Sequence, residues 1–218
     1  MIFNAIENHL YTIIILHGMF QNSKSLIPLA NYIQNHNKNI KIILPTAPIR
    51  NISWSNIPEP NISSWYNYYT RNDGLQIHDN INEKHFIQQT NRINNIIDEE
   101  RKIINSDKII IAGISQGGTL ALNIGLKYNY KLGGIIGIHT IFMDNIIMLN
   151  NLQNIPIYLF SGTKDNIYNF EFQKKSFKKL KSKNITISNW FIQNNLGHCE
   201  KSDKEFEFII RSIQNILM

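Results

Sequence analysis

The sequence predicts an α/β fold with a mainly parallel central sheet flanked by helices. Two observations predict it. Short, isoleucine-rich apolar runs bounded by turn residues recur along the chain, and helical patterns separate one run from the next. A third observation, a glycine-flanked serine between such a run and a helix, says where chemistry is to be sought.

The first strong run covers residues 12–16 and passes straight into His17-Gly18. Further runs cover residues 40–44, 108–114, 134–138, 155–160 and 185–192. Their length, β-branched content and lack of strict alternation suit parallel strands buried on both faces. Helical patterns cover residues 25–34, 83–104, 116–128, 170–180 and 202–217. In the last of these, Ser202 and Glu205 have capping-box spacing just before an apolar face containing Phe206, Phe208, Ile209, Ile213 and Ile216. Residues 45–80 resist the scheme: no period is sustained, and Pro45, Pro48, Pro58 and Pro60 accompany Trp54, Trp65, Tyr66, Tyr68 and Tyr69. A connection of this length inside a compact domain is usually a functional loop or lid. Its aromatics either pack the loop onto the sheet or line an apolar substrate pocket.

Composition bounds the remaining possibilities. A chain of 218 residues is the size of one compact domain, expected here to span residues 1–218. The lone cysteine, Cys199, cannot form an intramolecular bridge and suits a reducing, cytoplasmic setting. Hydrophobic residues at 43% and charged residues at 17% exclude wholesale disorder. The chain contains 43 Ile and 31 Asn but no Val. An AT-rich gene is the simplest cause, and Ile replaces Val in strands at little cost because both are β-branched. The net charge of +6 raises the question of nucleic acid or anionic membrane. Its one dense cluster places Lys174, Lys175, Lys178, Lys179, Lys181 and Lys183 around Phe172, Phe177 and Leu180 at helical spacing. This is a solvated helix face or a peripheral contact with an anionic membrane. No basic-aromatic nucleic-acid motif occurs, and no nucleic-acid partner is expected. No apolar stretch approaches the roughly 20 residues that span a bilayer.

The chemistry concentrates in Gly113-Ile114-Ser115-Gln116-Gly117-Gly118, a G-x-S-x-G with a buried strand before it and a helix after it. In that setting Ser115 projects above the sheet from a strained turn, and flanking glycines remove the Cβ atoms that would collide. The helix adds N–H groups and a positive dipole end where negative charge develops. A serine hydroxyl is a weak nucleophile, so this fold supplies an acid and then a histidine base further along the chain. Asp165 ends Ser161-Gly162-Thr163-Lys164-Asp165 directly after a strand, and Asp144 is the reserve acid. His198 lies after the last strand. His78 and His85 precede the serine, His139 precedes the acid, and His36 lies in an early Asn-rich stretch, so all four fail on position. His17, in Leu16-His17-Gly18-Met19, is read as structural. That motif is where the fold places one oxyanion-hole amide, giving Met19 and Gln116 as the pair of N–H donors.

These blocks together resemble the acyl-protein thioesterase, lysophospholipase and carboxylesterase group of small α/β-hydrolases. Leu16-His17-Gly18-Met19 is similar to that family's opening motif, and Pro45-Thr46-Ala47-Pro48-Ile49-Arg50 to its proline-bracketed segment. Ser64-Trp65-Tyr66 is similar to its Ser-Trp-Phe, and the Ser115 block to its Gly-Phe-Ser-Gln-Gly-Gly. The acid and base blocks match in order and approximate spacing. The chain departs at Phe20 and Gln21, where the family usually continues Gly-Asp, and at Asn67, where it usually has Asp.

The resemblance implies an α/β-hydrolase fold and a serine esterase or thioesterase that needs no cofactor or metal. Ser115 is the expected nucleophile, His198 the base, Asp165 the orienting acid, and Trp65 and Tyr66 the candidate substrate-binding residues. Long-chain acyl-protein thioesters or lysophospholipids are the favoured substrates. A short-chain carboxylesterase is the alternative, and a catalytically silent membrane- or nucleic-acid-binding protein is the alternative from another class.

Overall fold

Isoleucine-rich runs lie side by side where the sequence predicts strands. The computed structural model describes residues 1–54, 57–70, 80–143 and 154–218. In chain order its elements are β1 (Ile2–Phe3), β2 (Tyr11–Leu16), α1 (Ile27–His36), β3 (Ile40–Ile43), β4 (Ile49–Ile52), β5 (Glu59–Ser63), α2 (Glu83–Arg101), β6 (Ile109–Ile114), α3 (Gln116–Lys127), β7 (Gly134–Ile138), β8 (Ile157–Gly162), α4 (Phe170–Ser182), β9 (Asn189–Gln193) and α5 (Asp203–Leu217). Seven strands form one sheet in the order β1-β3-β2-β6-β7-β8-β9, parallel except for β1, which runs antiparallel to β3.

The central strands feed two cores, one on each face. Ile14 and Leu16 of β2 join Ile109 and Ile111 of β6 beneath apolar residues of α2, α3 and α4. Their neighbours Ile13, Ile15, Ile110 and Ala112 face the other way, onto Leu29 and Ile33 of α1 and Phe208, Ile209 and Ile213 of α5. This double burial is why these strands read as continuous apolar runs instead of alternating ones. Full burial of such a side chain is worth about 1.5–3 kcal/mol relative to exposure, so the isoleucine ladders supply much of the favourable term.

Three elements differ from the sequence expectation. β9 covers only Asn189–Gln193 and is an outer strand, with Phe191 and Ile192 left partly open to solvent. Ile185, expected in that strand, instead packs into the core as the chain leaves α4, its N–H donating to the Leu180 carbonyl. Residues 45–80 contain a separate antiparallel hairpin of β4 and β5 whose register shifts between Arg50 and Ile52. That irregularity and the two prolines of the second half, Pro58 and Pro60, erase the alternation that would have announced it. At the start of α5, Ser202 is the N-cap but its hydroxyl donates to Gln193 Oε1 at 2.7 Å, so the predicted capping box does not form. The Glu205 side chain turns inward.

Parallel pairing sends the carboxyl ends of β2, β6, β7, β8 and β9 to one edge of the sheet. The segments that leave there carry Gly18-Met19, Ser115, His139, Asp165 and His198. Among the described residues no helix is long and apolar enough to cross a membrane.

Candidate active site

Ser115 occupies a turn that few side chains tolerate. Its φ is 53° and ψ −120°, a left-handed conformation between the last residue of β6 and the first of α3. The turn is closed by packing that glycine alone permits: a Cβ on Gly113 would lie 2.3 Å from the Gly117 carbonyl oxygen, and one on Gly117 would lie 2.4 Å from that of Leu16. The strain is held by bonds on both sides of this residue, since Ser115 N–H donates to the Ile138 carbonyl at 2.9 Å and Thr140 Oγ1 donates to the Ser115 carbonyl at 3.0 Å.

The structure brings Ser115, His198 and Asp165 into one line. His198 Nε2 is 2.8 Å from Ser115 Oγ, and His198 Nδ1 is 2.8 Å from Asp165 Oδ2. With the proton on Nδ1 the ring donates to the carboxylate and presents the Nε2 lone pair to the hydroxyl. Asp165 is buried and well supplied with donors. The Ile167 and Tyr168 N–H groups donate to Oδ1 at 3.0 and 2.8 Å, and Gln173 Nε2 donates to Oδ2 at 3.0 Å. Burial raises the pKa of this carboxyl, but the neighbouring His139 ring and the hydrogen bond with His198 outweigh burial and hold it below the ordinary value. Asp144 and His78 lie outside the described residues. His36 is exposed and His85 sits in the first turn of α2, and among the described residues neither hydrogen-bonds Ser115 or Asp165.

Met19 and Gln116 both line a cavity of about 300 Å³ that opens beside Ser115 and His198. Among the described residues neither backbone N–H finds an acceptor. The Gln116 side chain ties this corner together: Oε1 accepts from the Trp65 N–H at 2.8 Å, and Nε2 donates to Ser64 Oγ and the Tyr66 carbonyl, each at 2.9 Å. His17 is fully buried. Ala47 N–H donates to its Nε2 at 3.0 Å, so its proton sits on Nδ1 and bonds the Gly18 carbonyl at 2.7 Å. Burial lowers its pKa, so the ring is a neutral strut.

Trp65 and Tyr66 are not where a substrate could touch them, which corrects the sequence expectation. Both are fully buried and neither lines the cavity. Trp65 packs 5.0 Å from the His17 ring and donates from Nε1 to the His17 carbonyl at 2.8 Å; Tyr66 packs on Phe86 and Tyr68. They brace His17 and Gln116 from behind. The aromatics of the irregular segment that do line the cavity are Trp54 and Tyr68, joined by Phe20, Tyr168 and the exposed Cys199.

Two groups went unread in the sequence. Gln173 looks like an ordinary helical residue, yet it is fully buried and links Asp165 to Ser161 Oγ, which donates to it at 2.6 Å. His139, set aside for preceding the acid in the chain, lies with Nδ1 3.4 Å from Asp165 Oδ2. Its position at the carboxyl end of a parallel strand was the signal available. Among the described residues, His139, Asp165 and His198 are the one group whose potential metal-ligating atoms all lie within 4.8 Å of one another. A metal bound there would replace the Nδ1 proton of His198, so it is incompatible with the hydrogen-bonded line described above.

A family model described as Phospholipase/Carboxylesterase matches residues 1–217. Among curated relatives, acyl-protein thioesterase 1 of Schizosaccharomyces pombe is 31% identical over 82% of this chain and 79% of its own length. Acyl-protein thioesterase 1 homolog 2 of Dictyostelium discoideum is 30% identical over 92% of this chain and 89% of its own. Among solved structures, Arabidopsis thaliana SOBER1 superposes with a TM-score of 0.83 at 25% identity, covering 95% of this chain and 99% of that one. Zea mays acyl-protein thioesterase 2 does so at 0.80 and 21% identity, covering 100% and 98% respectively, a likeness of fold.

Proposed function

Because the chain belongs to the phospholipase/carboxylesterase family, and is a serine hydrolase of ester or thioester bonds, we propose that Ser115, His198 and Asp165 carry the reaction. The observation that supports this reading most is the unbroken line of 2.8 Å contacts from Ser115 Oγ through His198 to Asp165 at the mouth of an apolar cavity. In this reading His198 Nε2 takes the Ser115 proton as Oγ attacks the acyl carbonyl. The Met19 and Gln116 N–H groups receive the oxyanion, each worth on the order of 10²- to 10³-fold in rate. The tetrahedral intermediate collapses as His198 returns the proton to the departing alcohol or thiol. Water, activated by the same imidazole, then hydrolyses the acyl-enzyme. Asp165 keeps the ring in the tautomer that both halves need.

The substrates in this proposal are long-chain acyl thioesters of proteins or lysophospholipids. The aromatic and aliphatic lining supports an acyl chain, and the relatives named as acyl-protein thioesterases support the thioester. The enzyme acts as one domain spanning residues 1–218 in the cytoplasm, and the exposed Lys175, Lys178 and Lys181 of α4 favour peripheral contact with an anionic membrane. Ser115→Ala is expected to abolish hydrolysis of p-nitrophenyl esters and labelling by a fluorophosphonate; undiminished activity overturns the assignment. An acyl-length profile on the wild type decides the substrate class, since a preference peaking at acetyl replaces the lipid reading by that of a short-chain carboxylesterase.

A further inference from the structure

His139 is buried between two carboxylates. It follows β7 in a left-handed conformation, φ 46°, with its N–H donating to the Phe160 carbonyl at 2.9 Å. The side chain is 2% exposed. Nδ1 lies 3.4 Å from Asp165 Oδ2, in the turn after β8, and Nε2 lies 3.5 Å from Glu205 Oε2, in the first turn of α5. The titratable groups that face it are these two carboxylates and His198 from the loop after β9, whose ring meets it edge-on at 5.7 Å; Phe160 of β8 covers an edge with apolar surface. Among the described residues neither ring nitrogen completes a hydrogen bond, the two carboxylates lie at ion-pair distance from it, and Glu205 has no other cation.

A neutral imidazole has one N–H and one lone pair, so between two carboxylates it would turn its lone pair on one of them. The imidazolium offers an N–H to each. Buried carboxylates also require a counter-charge, and Glu205 has no alternative. We propose that His139 is a resident cation of the active site, held between Asp165 and Glu205, which sets the acid limit of catalysis by sharing Asp165 with His198. A positive charge beside Oδ2 takes up part of the negative potential that Asp165 directs at His198. It thereby opposes a second positive charge in the same pocket, which extends catalysis into more acidic solution. Glu205, beyond His139, keeps that cation in place. His139 is thus a positioning residue that acts through Asp165. Burial works against its charge, but the two carboxylates outweigh burial and raise its pKa to about 9.

The inference about catalysis rests on the triad reading above, so the test separates the two. In His139→Gln/Glu205→Gln, which removes the cation with its buried counter-charge, fluorophosphonate labelling at pH 8 is expected to persist. The acid limb of kcat/KM should move to higher pH, by less than the roughly one to three units that a single nearby charge is worth, because the more distant Glu205 charge lost with it offsets part of the effect. Loss of labelling in Ser115→Ala but an unmoved acid limb in the double variant leaves the triad intact and overturns the role of His139. Should the double variant fail to fold, NMR titration of ring-labelled histidine in the wild type decides. His139 is expected to hold its proton through pH 8, and a ring that becomes neutral below pH 7 overturns the proposal.

Discussion

At the scale of single residues, the site depends on side chains whose hydrogen-bonding capacity is nearly exhausted. Asp165 receives two backbone N–H groups, a glutamine amide and a histidine N–H, and the adjacent His139 adds charge. That arrangement links stability to pH with a definite sign. A histidine whose pKa is raised from 6.5 to about 9 on folding contributes stability that is complete below about 6.5 and lost as pH rises through about 9. The loss is on the order of 3 kcal/mol at its upper limit. Urea denaturation is expected to give a midpoint that falls between pH 7 and 10 in the wild type and falls much less in His139→Gln/Glu205→Gln; parallel curves for the two proteins would refute it. Ser115, Asp165 and His198 were legible because local sequence encodes them: glycines at fixed offsets, an acid and a base each after an apolar run. His139, Gln173 and Glu205 were not, because their roles arise from contacts between elements. Glu205 also carried a competing local meaning as half of a capping box, which the inward turn of its side chain displaced.

At the scale of elements, the order of strands and helices could be read from the apolar runs, because a strand buried on both faces needs a continuous run whatever its neighbours are. The β4–β5 hairpin could not, and it decides which aromatics meet substrate. The segment brings Trp54 to the cavity, its Nε1 donating to Glu59 Oε1 at 2.7 Å, while Trp65, later in the same segment, goes behind His17. The two tryptophans should therefore answer differently to truncation. Trp54→Ala is expected to raise KM several-fold for long acyl chains with little change in denaturation midpoint. Trp65→Ala removes a fully buried side chain and should cost about 3–5 kcal/mol in stability, with kcat falling more than KM rises. Steady-state kinetics on a C2-to-C16 ester series together with urea curves check both, and a Trp65 variant altered in KM alone would restore it to the substrate site.

At the scale of the whole molecule, the excess of basic residues is organised rather than uniform. On α4, Phe172, Phe177 and Leu180 face the core while Lys175, Lys178 and Lys181 face solvent, and the same helix supplies Gln173 to Asp165. Charge neutralisation there is expected to leave the fold untouched, since those lysines are exposed and hold no buried partner among the described residues. A triple Lys→Gln variant at 175, 178 and 181 is expected to keep its esterase activity on soluble substrates while losing several-fold in binding to vesicles rich in anionic lipid. The wild type's binding should weaken as salt is raised from 50 to 500 mM, because a Debye length near 10 Å at 0.1 M leaves only close charge pairs effective. Binding that ignores salt would assign the membrane contact to the apolar mouth instead. The composition, isoleucine in place of valine throughout, has a practical use. Ile13, Ile14, Ile42, Ile110 and Ile111 lie across paired strands, whereas Ile114 and Ile167 line the cavity. A methyl-labelled isoleucine spectrum would therefore carry reporters of the sheet and of the acyl site on one map, and a bound ligand can be watched by the second set while the first serves as its internal standard.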